Sequence, residues 1–263
     1  MCIAKSVGHS GTNDLTDVLV FQILFNLNRY RFPDPKPGKL RPDGRIGPRT
    51  IGGLEKFETV VLKQKSSDGM LAPGDKTVQA LLKGLPAGPS KEKLAVVMPR
   101  ALTSRINRYY DPLVKAMRKY DITKPLRMAH FISQIGHETA SFRYAEEIAS
   151  GAAYEGRKDL GNTQPGDGKR FKGRGLIQLT GRANYTAYSK DTGIDYLANP
   201  TKVATDPFVA VGVACWFWSK NKLNRWADKD DVKTVTKRIN GGYNGLDDRI
   251  DYLTRAKAVL GLK

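Results

Sequence analysis

Cysteine is scarce in this chain, since only Cys2 and Cys215 occur among its 263 residues. Two cysteines exclude a disulfide framework. Cys215 lies in the apolar run FVAVGVACWFW, where we expect a buried and unreactive thiol. The three histidines are scattered and form no metal-ligand pattern with the cysteines. We therefore predict neither a metal site nor a cofactor.

Long apolar segments are also absent. No run of about 18 apolar residues occurs, so the sequence predicts no membrane-spanning helix. The first residues, MCIAKSVGHSGTNDL, lack the apolar stretch of a secretory signal peptide. We expect synthesis in a cytoplasm without a signal peptide.

Acidic residues are outnumbered, because 26 Asp and Glu residues face 44 Lys and Arg, for a net charge of +18. The excess is spread along the chain, without a basic block or a basic-aromatic nucleic-acid motif. We therefore predict no specific nucleic-acid partner. A diffuse positive surface suits an extended polyanionic partner, and solubility without any specific partner is the alternative.

Three helices are predicted in the first third of the chain. Residues 13–30 have apolar positions at helical spacing behind an Asn/Asp cap. A proline-rich connector follows, and two Asp-Gly turns then begin helical segments within residues 43–62 and 67–82. The segment LPAGPSKEK, residues 85–93, has two prolines and no apolar periodicity, which is typical of a domain linker.

The motif DGRIGPRTIGGLEKFE is the specific part of this pattern. Together with the flanking helices it resembles the small three-helix peptidoglycan-binding module found at the ends of cell-wall hydrolases. The resemblance implies a peptidoglycan-binding domain at residues 1–85 and a linker at 86–92. The proline-rich insertion departs from the commonest form of the module, so the position of the ligand groove stays open. A helical domain that only packs against its neighbour is the alternative.

An apolar helical stripe ends on a carboxylate in the segment 125–147. Its apolar members are Met128, Phe131, Ile132 and Ile135, and the next position on the stripe is Glu138. A carboxyl at the end of a buried stripe is a candidate proton donor, because burial disfavours the charged form. A Glu paired with a basic side chain, or one that marks an exposed helix end, is the alternative.

A second carboxylate, Glu147, follows nine residues later and would point to the opposite side of a continuous helix. The two groups can cooperate only if the helix ends between them. Ser141 and Phe142 are weaker helix formers, and a turn-rich segment follows, so we predict a helix break and a cleft-lining loop. His137–Glu138 does not match a zinc-protease motif, because Ser141 stands where the second His is required.

The HET motif, its second Glu nine residues later and the run GRGLIQLTGRANY resemble the glycoside hydrolases of family 19. This family comprises chitinases and phage endolysins with a lysozyme-like fold, and the similarity extends from about Arg100 to the C-terminus. The resemblance implies that Glu138 is the general acid, Glu147 the general base and Thr180 a residue that positions the attacking water. Whether Glu155 of the YEGR segment replaces Glu147 stays open.

Other residues of the predicted site rest mainly on the resemblance, and each has a structural alternative. Thr180 stands at the end of LIQLT, which we predict to be a short extended segment, and Asn240 stands at a helix stop. The candidate substrate-binding residues are Gln178, Asn184, Tyr185, Arg174 and Asn240.

The sequence thus predicts a mainly α chain, with a three-helix module followed by a lysozyme-like catalytic domain at residues 93–263. In that domain we predict helices near 102–120, 125–141, 182–192, 207–220, 232–239 and 247–260.

The predicted function is that of a monomeric endolysin. It would hydrolyse β-1,4 bonds of peptidoglycan glycan strands, as a muramidase with an inverting two-carboxylate mechanism. The alternatives are a chitinase on N-acetylglucosamine polymers and a non-catalytic cell-wall-binding protein. We expect action on the wall in the periplasm, release by a separate pore-forming protein, and attraction of the positive surface to an anionic outer envelope.

Overall fold

Helices account for most of residues 2–262, which are the residues described by the computed structural model. The chain forms two compact units. The second comprises Ala101–Ile250, and the first comprises the described residues on either side of it. None of the helices in the described chain is long and apolar enough to cross a membrane. The segment 86–92, predicted as a linker, lies within the first unit, where Ser90 caps a short helix.

The first unit contains helices within the three predicted segments, a fourth helix that was not predicted, and a small sheet. Its elements are α1 (Leu15–Asn28), α2 (Pro48–Lys56), α3 (Lys76–Lys83), α4 (Lys91–Val97), β1 (Val7–Gly8) and β2 (Met70–Leu71). The two strands are antiparallel. A π-helical turn, Phe57–Val61, extends α2.

Side-chain caps and an aromatic core explain why these helices form where they do. Asp75 accepts a hydrogen bond of 2.7 Å from the backbone N–H of Val78, which caps α3. Buried rings of Phe25, Phe32 and Phe57 form a continuous chain with centroid distances of 5.6 and 6.1 Å. Burial of such rings supplies much of the stability of a small helical unit.

The second unit is built almost entirely of helices, and the predicted positions are confirmed to within a few residues. Its main helices are α5 (Thr103–Lys119), α6 (Pro125–Glu138), α8 (Arg182–Thr192), α10 (Pro207–Lys220), α12 (Val232–Asn240) and α13 (Leu246–Val259), which ends beyond the unit boundary. Short helices α7 (Asp167–Arg170), α9 (Lys202–Thr205) and α11 (Asn224–Ala227) were not predicted.

Helix α10 forms the centre of the second unit because nearly every face of it is apolar. Trp218 is fully buried and meets the ring of Phe131 from α6 edge to face, at 5.3 Å between centroids. Cys215 is also fully buried, and burial raises the pKa of its thiol. The expectation of a buried, unreactive cysteine is confirmed.

The LIQLT segment is not extended, contrary to our prediction. Residues 175–178 form a tight turn, closed by reciprocal backbone hydrogen bonds of 3.1 and 2.7 Å between Arg174 and Leu179. Gly175 (φ +81°) and Gln178 (φ +57°) both adopt left-handed backbone conformations. A β-carbon on Gly175 would lie 2.3 Å from Val213 Cγ1, so only glycine fits at this position.

We expect Gly175→Ala to destabilise the protein by roughly 2–4 kcal/mol, because it combines a left-handed backbone penalty with a clash in a packed core. Gly193→Ala is the matched control, since Gly193 has a similar φ of +73° but open space around it. It should lower stability by only about 1 kcal/mol. Urea unfolding of both variants measures the difference. Equal losses of stability would show that the clash with Val213 does not contribute to the effect of Gly175→Ala.

Candidate active site

A left-handed turn ends helix α6 immediately after Glu138. Three successive residues, Ala140, Ser141 and Phe142, have φ values of 46°, 60° and 63°. The N–H of Ser141 donates to the carbonyl of Gly136 at 2.8 Å, which closes the end of the helix. The predicted helix break is therefore confirmed. Left-handed conformations of non-glycine residues cost about 1–2 kcal/mol each, so the surrounding structure must enforce this turn.

Thr139 and Phe142 hold the turn in place. The hydroxyl of Thr139 donates to the carbonyl of Ile135 at 2.6 Å and accepts from the N–H of Phe142 at 2.8 Å. The ring of Phe142 is buried and lies 5.2 Å from that of Tyr109. Burial of an aromatic side chain offsets the backbone strain of the turn.

Glu138 forms an ion pair with a buried arginine. Its Oε1 accepts from Arg249 Nη2 at 2.6 Å, and the Arg249 side chain is 1% exposed. The same guanidinium donates to the side-chain oxygen of Gln134, one turn earlier on α6. Beside this pair, His137 Nδ1 lies 2.6 Å from Asp248 Oδ2. Two polar pairs therefore join the end of α6 to the first turn of α13.

This geometry corrects one expectation from the sequence. The apolar stripe of α6 does not leave Glu138 in a hydrocarbon environment, because a guanidinium faces its carboxylate. Pairing with a basic side chain, the alternative considered above, is what the structure shows. The expected hydrocarbon environment at the end of the α6 stripe is therefore replaced by an ion pair.

Glu147 lies beyond the turn and is held by two hydrogen-bond donors. Its Oε1 accepts from the hydroxyl of Tyr154 at 3.0 Å, and its Oε2 accepts from the backbone N–H of Gly173 at 3.1 Å. Its own N–H donates to the carbonyl of Gly173 at 2.9 Å. Burial, together with the hydrogen bond to Glu147, raises the pKa of Tyr154. The hydroxyl of Tyr154 therefore stays a donor over the neutral pH range.

Gly173 brings three of the predicted site residues together. A β-carbon at this position would lie 2.7 Å from Gln178 Oε1 and 3.2 Å from both Glu147 Oε2 and Thr180 Oγ1. The Thr180 hydroxyl donates to the carbonyl of Gln178 at 2.9 Å. Our sequence interpretation missed the roles of Gly173 and Tyr154. The closely spaced glycines of KGRG were a signal for such a close approach, whereas nothing in the sequence marked Tyr154.

The amide candidates lie on two different helices. Asn184 is exposed in the first turn of α8, and its Nδ2 donates to the carbonyl of Thr180 at 2.8 Å, so it adjoins the group around Gly173. Asn240 is exposed at the last residue of α12.

Arg174 and Tyr185, which we predicted to bind substrate, are both buried in the free chain. Arg174 Nε donates to Glu146 Oε1 at 3.0 Å, and the hydroxyl of Tyr185 donates to the carbonyl of Lys172 at 3.1 Å. Burial raises the pKa of Tyr185 to about 12. Tyr185 thereby fixes the carbonyl before Gly173, and Arg174, the residue after Gly173, is joined to Glu146.

An ion pair with a buried carboxylate anchors the irregular segment that carries Tyr154 and Gly173. Asp167 Oδ2 accepts from Arg182 Nε at 2.8 Å and from the backbone N–H of Gln164 at 3.0 Å. The hydrogen bond from Arg182 holds the pKa of Asp167 below its usual range. The ion pair thereby fixes the segment to the first residue of α8.

Because the folded-state pKa of Asp167 is depressed, its contribution to stability is complete above the ordinary Asp pKa of about 4 and is lost as the pH falls through the folded-state value. We expect Asp167→Asn to lower the free energy of unfolding by about 2 kcal/mol at pH 7. The difference from the unmodified chain should shrink at about pH 3. Urea unfolding at both pH values measures it, and a difference independent of pH would contradict this role.

No group of three or more His, Cys, Asp and Glu residues within 2–262 is arranged to hold a metal ion.

Comparison with known proteins places this chain in a family. The family model described as "Chitinase class I", of the family 19 glycoside hydrolases, matches residues 121–240. A glycosyl hydrolase family 19 domain-containing protein of Haemophilus influenzae is 31% identical over 171 residues, which are 53% of this chain and 83% of that protein. An endochitinase of Arabidopsis thaliana is 42% identical over 115 residues, 44% of this chain but only 39% of that protein.

A solved structure shows the same fold. Chitinase C from Streptomyces griseus superposes with a TM-score of 0.57 at 23% identity, covering 78% of this chain and 86% of that one. The likeness in fold therefore agrees with the family that the matches in sequence indicate. This chain belongs to glycoside hydrolase family 19 and is a glycoside hydrolase.

Proposed function

We propose that this glycoside hydrolase cleaves β-1,4 bonds of peptidoglycan as a muramidase of the endolysin type. The observation that carries a two-carboxylate mechanism is the left-handed turn after α6, because it separates Glu138 from Glu147 and lets a different element hold each group. An inverting mechanism needs two carboxyls about 6.5–9.5 Å apart, with a water between the base and the sugar.

Glu138 is the proposed general acid. Arg249 donates to Oε1, which leaves Oε2 to carry the proton and deliver it to the leaving glycosidic oxygen. The guanidinium also fixes the direction of the carboxyl, because it is itself buried and bonded to Gln134.

Glu147 is the proposed general base. Its carboxylate takes a proton from a water that attacks the anomeric carbon from the opposite face of the sugar, and the hydroxyl of Thr180 positions that water. Tyr154 and the N–H of Gly173 orient the carboxylate. Gln178 and Asn184 border the same group of residues and are proposed to bind substrate, as is Asn240.

Glu155 is a weaker candidate for the base because its carboxylate closes a backbone loop, whereas Glu147 adjoins Thr180 and Gln178 around Gly173. The two oxygens of Glu155 accept from the N–H groups of Gly166 and Gly168 at 2.6 and 2.8 Å, around the start of α7. Glu155 thereby closes a loop, which is a structural use of the carboxylate.

The choice of peptidoglycan is supported by two features. The helices and the DGRIGPRTIGGLEKFE motif of the first unit resemble a peptidoglycan-binding module, and the net charge of +18 suits an anionic envelope. We propose a monomer made in a host bacterium that acts on the wall in the periplasm, as phage endolysins do. The second candidate is a chitinase, favoured by the endochitinases among the relatives.

Replacement of each carboxylate separates their roles. Glu138→Gln and Glu147→Gln should each lower the rate of glycan cleavage by about 10²–10⁴-fold, because each removes one partner of acid–base catalysis while preserving shape. Glu155→Gln is the control and should retain most of the activity. Release of reducing ends from purified peptidoglycan and from chitin measures all three and also separates the two substrates.

Two outcomes would contradict the assignment. If Glu155→Gln is inactive while Glu147→Gln cleaves normally, the base is Glu155. If peptidoglycan stays intact while chitin is cut, the enzyme is a chitinase.

Salt should slow the enzyme on intact sacculi if the positive surface guides it to an anionic wall. The rate should fall between low and moderate ionic strength, as the Debye length shortens to about 8 Å. The rate on short neutral glycan fragments is the control and should change little. Equal salt dependence on both substrates would locate the effect in the active site instead.

A further inference from the structure

A groove of about 320 Å³ lies in the first unit, between the proline-rich connector and helix α2. One wall comes from Pro37–Leu40 of the insertion that departs from the common form of the module. The other wall comes from α2, where Gly52 and Gly53 face the groove. A groove of this size accommodates a short peptide segment or a small ligand.

The insertion wall is fixed by hydrogen bonds to α1. The amide of Asn26 donates to the carbonyl of Leu40 and accepts from its N–H, both at 2.8 Å. Arg29 Nε donates to the carbonyl of Pro37 at 2.7 Å. Because these bonds exist in the free protein, the groove is preformed, and binding requires little ordering of the loop.

Three cations surround the groove. Lys39 comes from the insertion, and Arg49 and Lys56 come from the two ends of α2; all three are exposed. None of them forms an ion pair within the part of the chain that the structure describes. Their charges are therefore available to an anionic ligand.

The floor of the groove is apolar and unsuited to sugar rings. It is formed by Leu40, Pro48 and the ring of Phe25, and the ring is only 1% exposed. Stacking of a sugar ring requires an exposed aromatic face, and Phe25 offers none. Methyl groups fit this floor, and the two helical glycines allow a backbone to approach closely.

We propose that this groove binds the carboxylate-bearing stem peptide of peptidoglycan. Its short alkyl side chains match the apolar floor, and its several free carboxylates match Lys39, Arg49 and Lys56. The inference rests on the proposed function, in which the first unit binds the wall, and it adds which chemical part of the wall is recognised. The insertion thereby creates the anion-selective side of the groove.

A fluorescently labelled synthetic stem pentapeptide with free carboxylates is the probe, and the full chain is the binding partner. Fluorescence anisotropy should show saturable binding that is weakened by salt. The same peptide with amidated carboxylates should bind about tenfold more weakly or not at all, because the three cations then have no charged partner. Chitin oligosaccharides should not compete with it.

Variants of the groove test the site itself. Replacement of Lys39, Arg49 and Lys56 together by Ala should weaken binding about tenfold or more. Replacement of Lys65, Lys76 and Lys83 by Ala removes the same charge from exposed positions of the same unit outside the groove, and should change affinity less than about twofold.

A third variant, Gly52→Leu, fills the groove without changing charge. A β-carbon on Gly52 meets no atom within 4 Å, and leucine is a better helix former than glycine, so the fold should persist. Binding of the stem peptide should be lost, while cleavage of soluble glycan fragments should be unchanged.

Three outcomes would overturn the inference: equal weakening by both triple variants, full binding by Gly52→Leu, or tighter binding of inorganic polyphosphate than of the stem peptide. The proposed function fails by a different route. If peptidoglycan is not cleaved while the stem peptide binds in the groove, the groove inference stands and the muramidase assignment fails.

Discussion

The buried guanidinium of Arg249 is the interaction on which the catalytic unit depends most. Arg249 lies in the first turn of α13, and its guanidinium donates hydrogen bonds to Glu138 and Gln134 on α6. A charge with 1% exposure must be fully paired, because an unpaired buried charge costs several kcal/mol. The position of α6 relative to the start of α13 is therefore fixed by electrostatics as well as by apolar packing. The same pairing fixes the direction of the proposed acid.

The strained turn after α6 has a comparable role for the second carboxylate. Three consecutive left-handed residues form the turn that ends α6. The buried ring of Phe142 and the hydroxyl of Thr139 stabilise this turn. Glu147, Gln178 and Thr180 meet at Gly173, where a β-carbon would lie 2.7–3.2 Å from their side-chain oxygens. Strain and close approach thus occur where the proposed chemistry needs them.

The two units differ in charge and shape, and these differences match the two roles proposed for them, catalysis and peptide binding. The second unit presents carboxylates held by neutral donors and one buried cation, which suits acid–base chemistry on an uncharged glycan. The first unit presents Lys39, Arg49 and Lys56 around an apolar floor, which suits an anionic peptide. Peptidoglycan contains both kinds of chain. A polymer with only one of them would leave one of the two sites without a ligand.

The sequence by itself determined the longer helices, their approximate ends and the break before Glu147, because apolar periodicity, proline, glycine and cap residues act locally. It also determined the family, through two motifs. Only the tertiary structure decided that Arg249 faces Glu138, that Tyr154 and Gly173 hold Glu147, and that Arg174 and Tyr185 are buried. These contacts join residues distant in the chain, and burial of a polar side chain depends on partners that local patterns do not specify. LIQLT became a turn for the same reason, since Gly175 must pass within contact distance of Val213.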